Sequence, residues 1–134
     1  MGRQELVVEV AAGLIRDDLG RYLITRRRQG THLEGLWEFP GGKREPDETL
    51  QQSLRRELQE ELGARFVVGE LAETVRWDYP EKTVVLSFFH CRLEGGSIEP
   101  REGQSMEWVP PADLRHYRFP PADEALLNHL QSAG

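Results

Sequence analysis

The stretch GKREPDETLQQSLRRELQEELGA, at positions 42–64, constrains the fold of this chain more than any other segment. A leucine recurs at every fourth position, which predicts a helix with one apolar, packed face. These leucines are Leu50, Leu54, Leu58 and Leu62. Asp47, which follows Pro46, is expected to cap the start of the helix, and Gly63 is expected to end it.

The same predicted helix carries three glutamates, Glu57, Glu60 and Glu61, that project within roughly 100° of one another. Like charges at this spacing repel one another and destabilise an isolated helix. One interpretation is a solvated acidic face, which is the usual explanation for a charge cluster. The other is a site for divalent cations, because Mg²⁺ prefers oxygen ligands and often lies between carboxylates and substrate phosphates.

The balance of charge limits the class of ligand. The 134 residues carry a formal net charge of −6, and 15 of the 17 basic residues are arginines scattered along the chain. Proteins that bind nucleic acid through many phosphates usually present a basic face, so we expect no binding to a nucleic acid duplex. A small anionic ligand remains compatible with this charge if a metal ion supplies positive charge.

The chain is expected to be cytoplasmic and to stay out of membranes. It has no run of about 18 apolar residues, and its first ten residues lack the apolar core and cleavage site of a secretory signal. Cys91 is the one cysteine, so no disulfide within the chain can hold the fold, which suits a reducing compartment.

The rest of the chain predicts a mixed α/β (α+β) fold in one domain that spans residues 1–134. Residues 6–15 and 22–27 are expected to form a hairpin. Residues 36–42 are expected to form one short strand that a proline and two glycines end. The other expected elements are strands at 66–79, 83–93 and 105–109, a turn at 80–81 and a second helix that begins near Pro121.

The spacing of residues within segment 42–64 resembles the signature of the Nudix hydrolase family. The matching residues are Gly42, Glu48, Arg56, Glu57, Leu58, Glu60, Glu61 and Gly63. Ala64 departs from the pattern, since a larger aliphatic residue is usual there, and this affects packing more than chemistry. A chance match at this spacing is negligible, so the divalent-cation interpretation is favoured over the solvated face.

Further segments resemble the MutT-type branch of that family, in the same order along the chain. They are ITRR (24–27), LWEFPGGK (36–43), DYPEK (78–82), EGQ (102–104) and FPPADE (119–124). The resemblance implies the Nudix fold, an α/β/α sandwich with a mixed central β-sheet. It also implies a reaction that converts a nucleoside triphosphate to a monophosphate and pyrophosphate with Mg²⁺ or Mn²⁺. We expect a monomer or homodimer whose partner is a small-molecule nucleoside triphosphate.

The resemblance also implies a set of metal-site residues. The carbonyl of Gly41 and the carboxylate of Glu61 are expected as constant metal ligands. Glu57 and Glu60 are expected to add further ligands, or one of them orients the attacking water instead. Glu102, in a distant loop, is expected to reach the metal as a ligand or as the general base.

Five other residues are expected around this metal site. Arg56 is expected to act as a charged fork that holds neighbouring carboxylates in position, with Glu48 as its partner. Lys43 is a candidate contact to phosphate. By resemblance, Arg27 matches a phosphate- or sugar-contacting arginine, and His32 matches a position on the substrate side.

Glu38 and Phe39, before the glycine pair, and Tyr79 are expected to line the base pocket together with Asp123, and Pro40 is a further candidate for contact with the substrate. Asp123 lies where MutT-type 8-oxoguanine enzymes carry an asparagine. An amide accepts from the N7–H of 8-oxoguanine and donates to O6, whereas an ionised carboxylate only accepts. Asp123 therefore either retains oxopurine binding in its protonated form or redirects the pocket toward a pyrimidine, and it is also placed to cap a helix.

These residues favour an enzyme that sanitises the nucleotide pool, with 8-oxo-dGTP as the expected substrate. The alternative within the same class is a pyrophosphohydrolase for CTP, dCTP or a 5-substituted pyrimidine nucleotide. A nucleotide-sugar or dinucleotide pyrophosphatase is a further possibility that the short chain and the FPPADE segment oppose. The alternative from another class is a non-catalytic Nudix nucleotide-binding module.

Overall fold

The computed structural model describes residues 6–26 and 35–133, and within them the chain forms seven strands and two α-helices. The strands are β1 (Val7–Ile15), β2 (Tyr22–Arg26), β3 (Trp37–Glu38), β4 (Gly41–Lys43), β5 (Arg65–Asp78), β6 (Thr83–Gly95) and β7 (Ser105–Val109). The helices are α1 (Leu50–Leu62) and α2 (Glu124–Ala133), and two 3₁₀ turns, Pro111–His116 and Pro121–Asp123, precede α2.

The strands form two sheets. The larger sheet has the order β4-β1-β6-β5, and it is mixed because β1 runs parallel to β6 and antiparallel to β4. The smaller sheet, β3-β2-β7, is antiparallel throughout. The predicted mixed sheet and the turn between β5 and β6 are therefore confirmed, the turn by hydrogen bonds between the backbones of Tyr79 and Lys82.

The predicted hairpin of β1 and β2 is wrong, because the two strands belong to different sheets. They share only an isolated bridge between Arg16 and Tyr22. The turn itself is well formed, since the Asp17 carboxylate accepts hydrogen bonds from the Leu19 and Arg21 N–H groups at 3.0 and 2.8 Å. Beyond this turn the strands diverge, because each pairs with partners that come later in the chain.

The single strand predicted at residues 36–42 is also wrong, because the chain changes sheets at Phe39 and Pro40. β3 pairs with β2 in the smaller sheet, and β4 pairs with β1 in the larger sheet. Pro40 has no N–H to continue a ladder, but its carbonyl accepts a hydrogen bond from the Gly13 N–H at 2.8 Å. This crossing brings the glycine pair against the middle of β1.

Two hydrophobic clusters lie on opposite sides of the strands, so the predicted three-layer arrangement is confirmed. Neighbouring residues of a strand point to opposite faces, and Ile15 of β1 packs with the leucines of α1 while Leu14 packs with the apolar residues of α2. The leucine stripe of α1 is buried as predicted, with Leu54 and Leu58 both 0% exposed.

Helix α1 is capped two residues later than predicted, by a capping box. Thr49, not Asp47, is the N-cap: its hydroxyl accepts from the Gln52 N–H at 3.1 Å, and the Gln52 side chain accepts from the Thr49 N–H at 2.9 Å. Reciprocal bonds of this kind satisfy two otherwise unpaired donors, which favours Thr49 over Asp47. Gly63 ends the helix as predicted, in a left-handed conformation with φ of 69°.

Within residues 6–26 and 35–133, neither helix combines the length and the apolar character needed to cross a lipid bilayer.

Candidate active site

Glu57, Glu60 and Glu61 form the acidic edge of α1, and Arg56 organises it. Its guanidinium donates to both carboxylate oxygens of Glu48, at 2.7 and 2.9 Å, and to a carboxylate oxygen of Glu57 at 2.9 Å. The hydrogen bonds from Arg56 lower the pKa of Glu48 to about 2, so Glu48 stays ionised. The predicted pairing of Arg56 with Glu48 is therefore confirmed, and the fork also holds Glu57.

Glu60 is the more loosely held member of this edge. Its carboxylate oxygens lie 3.5 Å from the guanidinium of Arg56, and just over half of its side chain is exposed. Glu60 is therefore free to reorient toward a ligand that approaches from solvent.

Glycine at position 42 leaves room for the Glu57 carboxylate. A Cβ atom at Gly42 would lie 2.4 Å from the Glu57 carboxyl carbon, which is closer than any ordinary contact. Gly41 is equally constrained, since a Cβ there would lie 2.0 Å from the carbonyl oxygen of Ala11 on β1. The backbone of β4 therefore passes directly beside the acidic edge, with no side chain between them.

Glu61 lies at the centre of the acidic residues and is 8% exposed. Burial of its carboxyl group, together with the charge of Glu57 and a hydrogen bond shared with it, raises the pKa of Glu61 to about 9. The charges of Glu38 and Glu102 act in the same direction. The structure thus brings Glu38, from β3, and Glu102, from a distant loop, into the electrostatic field of the α1 glutamates.

This arrangement fits a divalent cation by the chemistry of its donor groups. Buried carboxylates that repel one another are stabilised when a bound cation supplies positive charge. Within residues 6–26 and 35–133 no three acidic, histidine or cysteine side chains already enclose one point. The carboxylates share a face rather than a closed shell, which suits Mg²⁺, because Mg²⁺ commonly takes one or two carboxylates and completes its coordination with water and phosphate.

A cavity of about 650 Å³ opens beside the acidic edge. Its walls are mostly apolar side chains of β1 and β6, namely Val8, Val10, Ala12, Val84, Leu86 and Phe88. One part of the lining is the segment from Gly41 to Lys43, and another part includes Asp123. A cavity with apolar walls and a few polar groups is typical of a small-molecule site.

Aromatic rings fix one wall of this cavity. Phe39 is 4% exposed and stacks on Phe119, with 5.3 Å between ring centroids and 25° between ring planes. It also meets the edge of Phe88 at 6.1 Å. Asp123 is 5% exposed, and it lies in the 3₁₀ turn immediately before α2.

A family model described as the NUDIX domain matches residues 11–129, a stretch that contains all these acidic residues. The chain belongs to the Nudix family of hydrolases. Three comparisons place it more closely. The 8-oxo-dGTP diphosphatase of Haemophilus influenzae is 40% identical over 126 residues, which are 92% of this chain and 91% of the relative.

The other two relatives come from Escherichia coli. Its CTP pyrophosphohydrolase is 37% identical over 121 residues, which are 90% of this chain and 89% of that protein. The solution structure of the E. coli ORF135 protein has a TM-score of 0.82 and 35% sequence identity, and the match covers 96% of this chain and 91% of that one. The predicted Nudix fold and hydrolase family are therefore confirmed.

The structure brings most of the predicted site residues of this Nudix domain together at one place. The predicted site residues that belong to the cavity lining are Glu38, Phe39, Gly41, Lys43, Tyr79 and Asp123. Pro40 is buried between the two sheets and contributes its carbonyl to Gly13 rather than a wall to the cavity. Arg27 and His32 lie outside the described residues.

Two features of this Nudix site were not singled out from the sequence. Glu81 and Lys82 line the cavity from the turn between β5 and β6. The sequence cue that could have identified them is their position in the DYPEK segment, beside Tyr79. Gln104 joins α1 to the loop that carries Glu102, and its signal was its place in the EGQ segment.

Proposed function

We propose that the protein is a divalent-metal-dependent nucleoside triphosphate pyrophosphohydrolase that releases a nucleoside monophosphate and pyrophosphate, with 8-oxo-dGTP as its substrate. One observation carries this proposal. Gly42 lines the cavity and also lies directly against the Glu57 carboxylate. A nucleotide whose base enters the cavity therefore passes its phosphates along β4 to the acidic edge of α1.

The proposed metal ligands are the carboxylates of Glu57, Glu60, Glu61 and Glu102 and the carbonyl of Gly41. When bound there, Mg²⁺ or Mn²⁺ neutralises phosphate charge, polarises the attacked phosphorus and lowers the pKa of a bound water. These carboxylates and a triphosphate are all anionic, so they repel one another until positive charge is supplied.

The remaining steps belong to residues of the chain. Arg56 holds Glu57 in position through the 2.9 Å hydrogen bond. If one of Glu57 and Glu60 does not bind the metal, its carboxylate instead orients the attacking water and accepts a proton from it. Attack at the phosphorus nearest the sugar releases pyrophosphate. Lys43, which is exposed at the mouth of the cavity, offers a cation to the phosphates as they enter or leave.

Recognition of the base falls to the buried end of the cavity. Phe39 supplies a rigid apolar wall, and the Asp123 carboxylate supplies a hydrogen-bonding group. A protonated Asp123 carboxyl group can accept a hydrogen bond from the N7–H that distinguishes 8-oxoguanine from guanine and donate one to O6. The identity to the H. influenzae 8-oxo-dGTP diphosphatase supports this assignment.

A cytidine nucleotide is the second candidate substrate, and Asp123 is the residue that favours it. A carboxylate accepts a hydrogen bond from the exocyclic N4 amino group of cytosine. The E. coli relative named CTP pyrophosphohydrolase, at 37% identity, supports this alternative.

Steady-state kinetics with Mg²⁺ tests both substrates. The set consists of 8-oxo-dGTP, dGTP, CTP and a 5-substituted dCTP, and the products are identified by chromatography. We expect the highest kcat/KM for 8-oxo-dGTP and expect pyrophosphate as a product. A kcat/KM for 8-oxo-dGTP no higher than that for dGTP would remove the oxopurine assignment, and a lead for the cytidine nucleotides would replace it.

Paired variants connect the ranking of substrates to the cavity. Asp123→Asn should change the order of kcat/KM among the bases more than it changes the rate on the best substrate. Asp113→Asn is the matched control, because Asp113 is exposed and lies outside the cavity lining. An unchanged order in Asp123→Asn would leave Asp123 with a structural role at the start of α2. Absence of turnover on every nucleotide would instead favour a non-catalytic binding module.

A further inference from the structure

The loop that carries Glu102 is joined to the carboxyl end of α1 by hydrogen bonds. The Glu99 N–H donates to the Leu62 carbonyl at 2.8 Å, and the Arg101 N–H donates to the Glu61 carbonyl at 2.9 Å. The last carbonyls of a helix have no partner within the helix, so this loop satisfies groups that would otherwise need water. The acidic loop is therefore fixed to the helix that carries the other glutamates.

Gln104 makes the connection that reaches Glu102 itself. Its side-chain N–H₂ donates to the Glu61 carbonyl at 3.0 Å, and its side-chain oxygen accepts from the Glu102 N–H at 2.9 Å. A glutamine amide carries a donor and an acceptor on one rigid plane, so a single side chain links the backbones of two residues that are far apart in sequence. Gly103, with φ of 71°, lets the chain turn back so that this link closes.

The two residues joined in this way are the buried centre and the distant member of the acidic site. Glu61 is 8% exposed, whereas Glu102 is exposed on its loop, yet the charge of Glu102 acts on the Glu61 carboxyl group. An exposed loop glutamate loses conformational freedom when it is held at a site. A link that orders its backbone in advance removes part of that cost.

We propose that Gln104 is a positioning residue that fixes Glu102 relative to Glu61 for the hydrolytic reaction. The inference rests on the proposed role of Glu102 at the metal site. Gln104 itself lies outside the cavity lining and touches the reacting groups only through Glu61 and Glu102. Its removal should therefore lower kcat and leave substrate binding nearly unchanged.

The experiment is a double-mutant cycle with Mg²⁺ and 8-oxo-dGTP, or whichever nucleotide leads the substrate series. Gln104→Met keeps the length of the side chain and removes both hydrogen bonds. We expect it to lower kcat by about tenfold, as the loss of one to two such bonds can do, with KM changed by less than about twofold. Gln51→Met is the control, because Gln51 is an exposed glutamine on the first turn of α1.

The second background is Glu102→Ala. If Gln104 acts through Glu102, then Gln104→Met causes no further loss of kcat once Glu102 is absent. Equal losses in both backgrounds, or wild-type kcat in Gln104→Met, would overturn the inference and leave the role of Glu102 standing. Wild-type kcat in Glu102→Ala would overturn both. If Gln104→Met fails to fold, Gln104→Glu, which keeps the acceptor and loses the donor, is measured in the same cycle with the same outcomes.

Discussion

Gly42→Ala adds one methyl group at the point where β4 meets the acidic edge. The new Cβ atom would lie 2.4 Å from the carboxyl carbon of Glu57 and 2.5 Å from one of its oxygens. Ordinary contact between carbon atoms is about 3.5 Å or more, so the carboxylate must retreat by roughly 1 Å. The neighbouring bond from Arg56 to Glu57 then stretches or breaks.

The consequence should be a loss of activity much larger than the loss of stability. A displacement of about 1 Å in a reacting group can lower the rate by about 100-fold, so we expect kcat to fall by about that factor. The Glu57 carboxylate is the end of a flexible, partly exposed side chain, so its displacement should lower the free energy of unfolding by no more than about 1 kcal/mol.

The assay compares kcat at saturating Mg²⁺ with the free energy of unfolding in urea. Gly69→Ala, on β5, is the matched control, because its added Cβ would also meet a close neighbour, the His90 carbonyl oxygen at 3.2 Å, but that neighbour belongs to β6 and not to the acidic edge. We expect near-normal kcat in the control. Near-normal kcat in Gly42→Ala would show that the position of the Glu57 carboxylate does not limit the reaction.

Three further predictions follow from α1. Glu61→Gln should abolish most turnover and leave the circular dichroism spectrum unchanged, because a lost ligand charge is a transition-state defect; substantial kcat at any Mg²⁺ concentration would contradict the metal assignment. In metal-free protein the pKa of Glu61 is raised from 4.5 to about 9, so its contribution to stability is full below pH 4.5 and is lost as the pH rises to about 9. The Tm should therefore fall with rising pH more steeply in wild type than in Glu61→Gln, and parallel plots of Tm against pH would refute this assignment. Leu58→Ala should lower the free energy of unfolding by about 2–5 kcal/mol, because Leu58 is completely buried; a loss below about 1 kcal/mol in urea would mean that the core closes around the gap.

Helix α1 was the element that sequence predicted best, because its signals are local. The leucine spacing determines its buried face, and Gly63 ends it in the left-handed conformation that glycine adopts most readily. The start was placed at Asp47 because proline and aspartate are a common start signal. The reciprocal bonds of Thr49 and Gln52 are more favourable, and the T-x-x-Q pattern was available in the sequence to indicate them.

Strand pairing was predicted less well, because it depends on partners that are distant in sequence. β1 and β2 look like a hairpin locally, yet β1 pairs along its whole length with β6, about 75 residues later. The break at Phe39 and Pro40 likewise arises because β3 and β4 pair with different sheets. The residues of a strand do not by themselves indicate which distant strand it will pair with.

In the candidate site, too, features with local signals were predicted well and features that depend on distant contacts were predicted less well. The cluster of glutamates and the pairing of Arg56 with Glu48 were predicted from spacing and resemblance within one segment. The approach of Glu102 depends on hydrogen bonds from its loop to the end of α1, so only the resemblance suggested it. The charge of Glu38 acts on Glu61 because the fold brings these two residues together from different elements, and the sequence alone indicated Glu38 only for the base pocket.

Anomalous diffraction from crystals soaked with Mn²⁺ and a non-hydrolysable nucleoside triphosphate tests the central claim most directly. We predict manganese peaks between the phosphates and the carboxylates of Glu57 and Glu61, with the base in the cavity beside Asp123. Manganese and phosphates bound at another surface, with no manganese beside the carboxylates of Glu57 and Glu61, would contradict the account.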